Sequence, residues 1–423
     1  MKGLDKLKSR LKKTLIGNAR NSPIEENRSL GQPRIMKKGA VVASVHRTQF
    51  IIGLDFGTSY TKVAVSGFEN IYIVELLTDQ HLIPTRFFVD KNGVCNLNSD
   101  RYKEVAVDKV KLIEGKARTA DLVVMVAYCA LILKSTRHWA MINESQRLAN
   151  YDIDWLLNVG LPTESSQDRK LTDNYRTIMH AAWKFSTLKH NFKLQDIEDY
   201  LAFDEDPEHM SSDEFMGLDG DCLSLFPEFI GQIQSYIRSP QRQKFAHLLI
   251  DVGGGTVDVA VFRVIESDGE YRYPLYGKRV RTLGAVVLEK KRNILGRAAA
   301  DKWMMSEFKA QIAEVITCIP PGRYEEDIQC IFIGGGSDLP LYKKALKEYQ
   351  ESQQKYYPLR VTGLRQPNEL CNSNLNKNDF HRFSVAYGLT VEPDDLGYLE
   401  RGIATKIKPY QKTLNAYLLD ASK

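Results

Sequence analysis

Residues 51–65 read IIGLDFGTSYTKVAV, and residues 248–262 read LLIDVGGGTVDVAVF. In each, an apolar run ends on an aspartate (Asp55 or Asp251), a glycine-containing turn follows, and a second apolar run returns. That is the pattern of strand, tight turn and strand. Superposing the two acids aligns the stretches 196 positions apart, with Asp, Gly and Val-Ala-Val identical. Self-similarity of this kind marks an internal duplication. It predicts two similar lobes, each led by a β-hairpin with an acid at the end of its first strand. A third glycine turn, IFIGGGS at residues 331–337, follows another apolar strand and precedes a helix expected to begin near Leu341.

Such turns have a chemistry. Where no side chain stands in the way, backbone N–H groups converge on an anion. Two hairpins facing each other would clasp a polyphosphate from both sides. Asp55 and Asp251 would hold Mg2+, through its waters, because magnesium keeps much of its hydration shell. Thr58, Ser59 and Thr256 add hydroxyl donors. Other phosphate-binding designs do not occur in the sequence: there is no G-x-x-x-x-G-K-[ST], and no G-x-G-x-x-G opens a helix after the first strand.

With IIGLDFGTSYTKVAV, LLIDVGGGTVDVAVF and CIFIGGGSDLPLYKKAL (330–346) in view, the chain resembles the actin, sugar-kinase and heat-shock-chaperone ATPase superfamily, through its phosphate-1, phosphate-2 and adenosine motifs. The wording is most similar to the ATPase domain of the seventy-kilodalton heat-shock chaperones. HLIPTRFFVDKNGV (81–94) looks like that domain's early strand region, FPEFIGQIQSYI (226–237) like the first connecting helix and FSVAYGL (383–389) like the second. The resemblance runs from about residue 49 to 390. It implies an α/β fold of two duplicated actin-like (ribonuclease-H-like) lobes with a nucleotide cleft between them, and ATP/ADP and Mg2+ as cofactors. It also implies roles. Asp55 and Asp251 handle Mg2+ and water. Gly57, Thr58, Ser59, Gly253, Gly254, Gly255 and Thr256 grip phosphates, and Asp258 is the second acid of its motif. Gly334, Gly335, Gly336 and Ser337 let the adenosine approach. Glu228, 23 residues before Asp251, matches the glutamate that orients the attacking water. Phosphoryl transfer to water by such a site is positioning plus electrostatics.

The chain departs from the chaperones in three places. Only about 50 residues separate Gly284 from Gly334, so the subdomain over the base is expected to be reduced to helices, without the Glu/Lys-bearing adenine helix. Asp338 stands where the chaperones carry an arginine. Their catalytic lysine has Lys111 or Lys109 as its counterpart. Lys62 reads as a solvated strand residue, and His81, His138 and His247 as core or surface residues.

The function expected is an ATP-binding, slowly hydrolysing chaperone-like ATPase, a nucleotide-dependent conformational switch acting on a partner protein. One alternative is an actin-like filament-forming cytoskeletal protein, and another is a nucleotide-binding scaffold that never hydrolyses. A small-molecule kinase would need an acceptor pocket with a catalytic acid in the first lobe, for which no motif is found.

Composition sets the remaining bounds. The 423 residues are 43% hydrophobic and 26% charged, an ordinary globular balance. The net charge of +5 requires no nucleic-acid partner. The charge is uneven: residues 1–40 carry eleven basic residues against three acidic ones. Leu4, Leu7, Leu11, Leu15 and Ile16 recur at helical steps there. Residues 1–48 thus read as a basic amphipathic helix and a flexible linker, with a membrane surface or a partner's groove as candidate contacts. The longest uncharged apolar run, Leu122 to Leu133, is short of the roughly 20 residues of a membrane span and reads as a core helix. Six dispersed cysteines without a C-x-x-C pair argue for neither disulfides nor zinc, and for a reducing cytoplasm, with peripheral membrane attachment possible through the basic helix. Lobe I is expected over 49–241, lobe II over 242–390 and an extension over 391–423. The acidic stretch 193–221 reads as an irregular, solvated insertion.

Overall fold

The computed structural model describes residues 46–77, 80–162, 168–202, 222–320, 327–353, 357–371 and 375–400. The basic helix expected over residues 1–17, its linker, most of the acidic stretch and residues 401–423 lie outside these.

The apolar run ahead of Asp55 forms the strand His46–Asp55, buried over its last six residues. It turns into Tyr60–Gly67, antiparallel, with Asp55 opposite Lys62. Asn70–Ile73 extends the hairpin on one side; Tyr151–Leu161 and then Leu223–Pro227 add in parallel on the other. The second sheet repeats this plan. His247–Val252 pairs antiparallel with Val257–Phe262, placing Asp251 opposite Asp258. Glu270–Arg281 extends that hairpin, and Ile328–Ile333 and Leu359–Thr362 add in parallel. For the five strands named in each sheet the spatial order is third, second, first, fourth, fifth, with the last two parallel to the first. The duplication read from two turns therefore extends to the whole topology, and the fold is a two-lobed, duplicated α/β fold.

In lobe I the helices Thr119–Asn143 and Arg169–Ser186 pack on the sheet and on each other. The first is apolar and long enough to cross a membrane, but it is mostly buried within the protein, as expected of a core helix. Each aliphatic side chain so buried contributes roughly 1.5–3 kcal/mol. In lobe II, alternate residues of one strand serve two cores. Leu248, Ile250 and Val252 face the helix Arg297–Ile316, while Leu249 faces the helix Glu228–Ile237.

Two central helices cross between the lobes. Glu228–Ile237 leaves lobe I and buries Phe229, Ile230, Ile233 and Tyr236 against lobe II. Ser384–Gly388 follows a segment already docked on lobe I, packs Ala386 and Tyr387 on Ala64 and Ile73 there, and crosses Glu228–Ile237. The crossing is tight: a Cβ on Gly388 would stand 2.0 Å from the carbonyl oxygen of Gly231. Any other residue at 388 would have to push the helices apart.

The reading of residues 193–221 as irregular fails at its start. Leu194–Ala202 is a helix that buries Ile197 and Leu201 in the lobe I core. The apolar spacing Leu194, Ile197, Leu201 is helical, and the acids between them occupy the outer face. Above lobe II, Ala285–Leu295 and Arg297–Ile316 meet at Gly296, which takes φ +79°, a left-handed conformation that favours glycine.

Candidate functional site

A cleft of about 1290 Å³ opens between the lobes. Asp55, Gly57, Thr58, Ser59, Glu228, Asp251, Gly253, Gly254, Gly255, Thr256, Asp258, Gly334, Gly335 and Gly336 all line it. The two hairpin turns face each other across it. A Cβ on Gly254 would lie 2.5 Å from Ser59 Oγ, and one on Gly255 would lie 3.6 Å from Thr58 Oγ1. Backbone donors and hydroxyls of both lobes thus meet at one point. Thr256 Oγ1 donates to Asp258 Oδ2 at 3.1 Å.

Ser337 does not join them. It is buried, and its hydroxyl donates to Gly334 O at 2.7 Å, closing the third turn. Gly334 and Gly336 are also committed to packing. Gly334 sits at φ +90°, where a Cβ would fall 2.0 Å from Asp251 Oδ1, and the Gly336 N–H donates to Val252 O at 2.8 Å. Of the three glycines expected to admit an adenosine, only Gly335 is exposed.

Beneath the turns lies a cluster of charge. Lys62 is not a solvated strand residue. Its side chain is 21% exposed and its ammonium donates to Asp55 Oδ2 at 2.9 Å. The strand register that sets Lys62 opposite Asp55 was a signal available in the hairpin itself. Of the two lysines proposed for one role, Lys109 enters the site and Lys111 does not. Lys109 is 3% exposed and its ammonium reaches Glu228 Oε1 at 3.1 Å and the carbonyl oxygen of Phe56. Lys111 turns outward to Asp121 at 2.8 Å. Two residues apart on one helix, they face different ways. Burial works against the Lys109 charge, but Glu228, Tyr175 and Asp55 hold its ammonium above its ordinary pKa.

Asp251 is the most perturbed acid. Burial pushes its carboxyl up to about 7; Lys62 pulls it down, while Glu228 and Asp55 add to the rise. Gln232, one turn along the helix from Glu228, donates to Asp251 Oδ2. Three carboxylates facing one cleft are hard oxygen donors of the kind Mg2+ takes. Among the described residues, however, no three acid, cysteine or histidine side chains cluster closely enough to hold a metal alone. The donor set suits an ion completed by water and phosphate oxygens.

Among the lining residues not singled out from the sequence are Arg281, Lys290, Lys291, Trp303, Glu307 and Arg382. The roof helices do put lysines and an acid over the cleft, although no motif announced them. Asp338 faces His381, whose Nε2 lies 3.2 Å from Asp338 Oδ2.

No protein-family model and no curated protein matches the chain. Among solved structures it is similar to apo psk41 ParM, at 11% identity and a TM-score of 0.43, over 81% of this chain and 96% of that one. It is also similar to a non-polymerisable quadruple mutant of pCBH ParM, at 14% identity and a TM-score of 0.41, over 81% and 98%. A third similar structure is MreB5 of Spiroplasma citri bound to ADP, at 11% identity and a TM-score of 0.41, over 81% and 94%.

Proposed function

We propose that the cleft binds Mg-ATP and hydrolyses it slowly, the lobes closing on the nucleotide and relaxing after hydrolysis. The observation that carries this reading is the meeting of the two mirrored turns, Ser59 against Gly254 and Thr58 against Gly255. Their N–H groups and hydroxyls would hold the phosphates from both lobes, so the ligand itself becomes the contact that favours the closed form. Mg2+, held through water by Asp55 and Asp251, would neutralise phosphate charge. Glu228 would orient the attacking water. Its carboxylate is fixed by Lys109 from lobe I, and Gln232 fixes Asp251 from the same helix. Positioning of this kind is what phosphoryl transfer to water requires of a protein.

For the output of the switch, we put forward assembly with further copies of the chain, as an actin-like filament, ahead of chaperone-like action on a client. No sequence motif of the chaperones' adenine helix is found, and Asp338 stands where they carry an arginine. Exposed apolar ends support assembly: Ile294 (77% exposed) and Leu295 on lobe II, and Ile142 (61%) and Met141 on lobe I. Different apolar patches on different lobes suit a head-to-tail contact.

Phosphate release by wild type compared with Glu228→Ala and Asp251→Ala tests the catalytic reading. Both variants are expected to lose at least about a hundredfold in rate, and identical traces would mean a scaffold that does not hydrolyse. Sedimentation with and without ATP tests the output: a pellet that depends on nucleotide is expected, and a monomer in both conditions rejects filaments.

A further inference from the structure

Lys109 stands at the head of the short helix Lys109–Ile113, and the phenol of Tyr175 comes to it from the helix Arg169–Ser186. The Lys109 ammonium lies 5.4 Å from the ring centre of Phe56 and 5.9 Å from that of Tyr175. Two aromatic walls, both within cation–π range, therefore flank it. An ammonium has three N–H donors. One goes to the carbonyl oxygen of Phe56 and one to Glu228 Oε1 at 3.1 Å. The third has no acceptor among the described residues.

Tyr175 supplies the counterpart. Its side chain is fully buried, yet its hydroxyl makes no hydrogen bond among the described residues. Burial pushes the phenol up to about 12; the Lys109 ammonium pulls it down, as a charge and as a donor, and Glu228 adds to the rise. Hydroxyl and ammonium are thus neighbours that fall short of a full hydrogen bond. Leaving a buried hydroxyl unpaired costs stability, so phenylalanine would be the more stable choice at 175. Hydrogen bonds used in catalysis are often long in the free enzyme and tighten in the complex with substrate. We propose that Tyr175 is a positioning residue for hydrolysis, its hydroxyl oxygen accepting the third N–H of Lys109 as the lobes close and so fixing the Glu228 carboxylate toward the water. Oε1 of Glu228 stays on Lys109, which leaves the second carboxylate oxygen for that water. The inference rests on the Mg-ATP reading and deepens it.

Phosphate release from Mg-ATP by the full chain and by its Tyr175→Phe variant, together with urea unfolding of both, tests it. Phenylalanine keeps the aromatic wall and removes only the hydroxyl. The expected result is a kcat about tenfold lower, the size of one hydrogen bond to a charged group, with KM unchanged and no loss of stability. In a Glu228→Gln background the same substitution should slow single-turnover hydrolysis no further, because its effect runs through that carboxylate. A wild-type kcat in Tyr175→Phe, a raised KM with kcat intact, a loss of stability alongside the slower rate, or an undiminished effect in the Glu228→Gln background would each overturn the assignment. A wild type that releases no phosphate would instead overturn the hydrolysis reading and this assignment with it.

Discussion

The two hairpins share a register and differ in what each places opposite its acid. Asp55 faces Lys62, and the two form an ion pair. Asp251 faces Asp258, and its carboxyl is pushed up by burial. The carbonyl after each acid differs in the same way. Phe56 O accepts from the Lys109 ammonium, whereas Val252 O accepts from the Gly336 N–H. Duplication kept the backbone and divided the charge. The first hairpin has one cation of its own, Lys62, and a second beneath it, Lys109, while the second hairpin presents a buried acid. A nucleotide with its metal would complete the second from outside, which gives the two halves unequal parts in one site.

The largest effect is expected from removing the cation under the first hairpin. Lys109→Met leaves the Glu228 carboxylate and Phe56 O without their partner. Losing one member of a buried pair costs about 3–5 kcal/mol. Glu228 keeps some contact with solvent, so urea unfolding should show a loss near about 3 kcal/mol. A loss below about 1 kcal/mol, the size of a surface pair, would show that Lys109 does not support the hairpin.

The opposed positions are compared directly by Lys62→Met and Asp258→Asn. Hydrogen bonds to charged groups contribute about 1.5–3 kcal/mol. Lys62→Met removes one from Asp55 and leaves Asp251 without its main cation, so Mg-ATP affinity should fall about tenfold or more. Asp258→Asn keeps a partner for Thr256 and should cost no more than about threefold. Equal losses would mean that the two hairpins contribute alike and that the division of charge has no functional meaning.

The sequence made some of this site legible and hid the rest for identifiable reasons. Asp55, Asp251 and the three glycine turns are local signals, and the helix Glu228–Ile237 falls where its apolar spacing places it. Lys109 could not be separated from Lys111 without knowing which face of their helix is buried. Trp303 and Arg382 reach the cleft from a roof helix and from a segment anchored on the other lobe. No spacing along the chain encodes those meetings. Lys62 is different. Its alignment with Asp258 already placed it opposite an acid, so its misreading came from expecting the first hairpin to follow the chaperone pattern.

A smaller asymmetry sits deeper in the same strands. The position that lobe I fills with Ile51 is His247 in lobe II, and both are buried. His247 Nε2 lies 3.0 Å from the Tyr236 hydroxyl, and its ring stacks on Phe262 at 5.1 Å. Burial lowers its pKa from 6.5 to about 4. The unfolded chain therefore takes up a proton near pH 6.5 that the native state refuses until about pH 4. The stability tied to this neutral imidazole is present in full above pH 6.5 and is lost as pH falls through that window. At pH 5.5 the loss is on the order of 1 kcal/mol. His247→Ile, which copies lobe I, should flatten the acid limb of the stability curve by that amount, while lowering stability uniformly for the lost Tyr236 contact. Urea unfolding of both proteins at pH 7.5 and 5.5 measures the difference. Parallel acid limbs in the two proteins would show that His247 accepts its proton in the native state, and that the second hairpin's strands are no drier than a surface site.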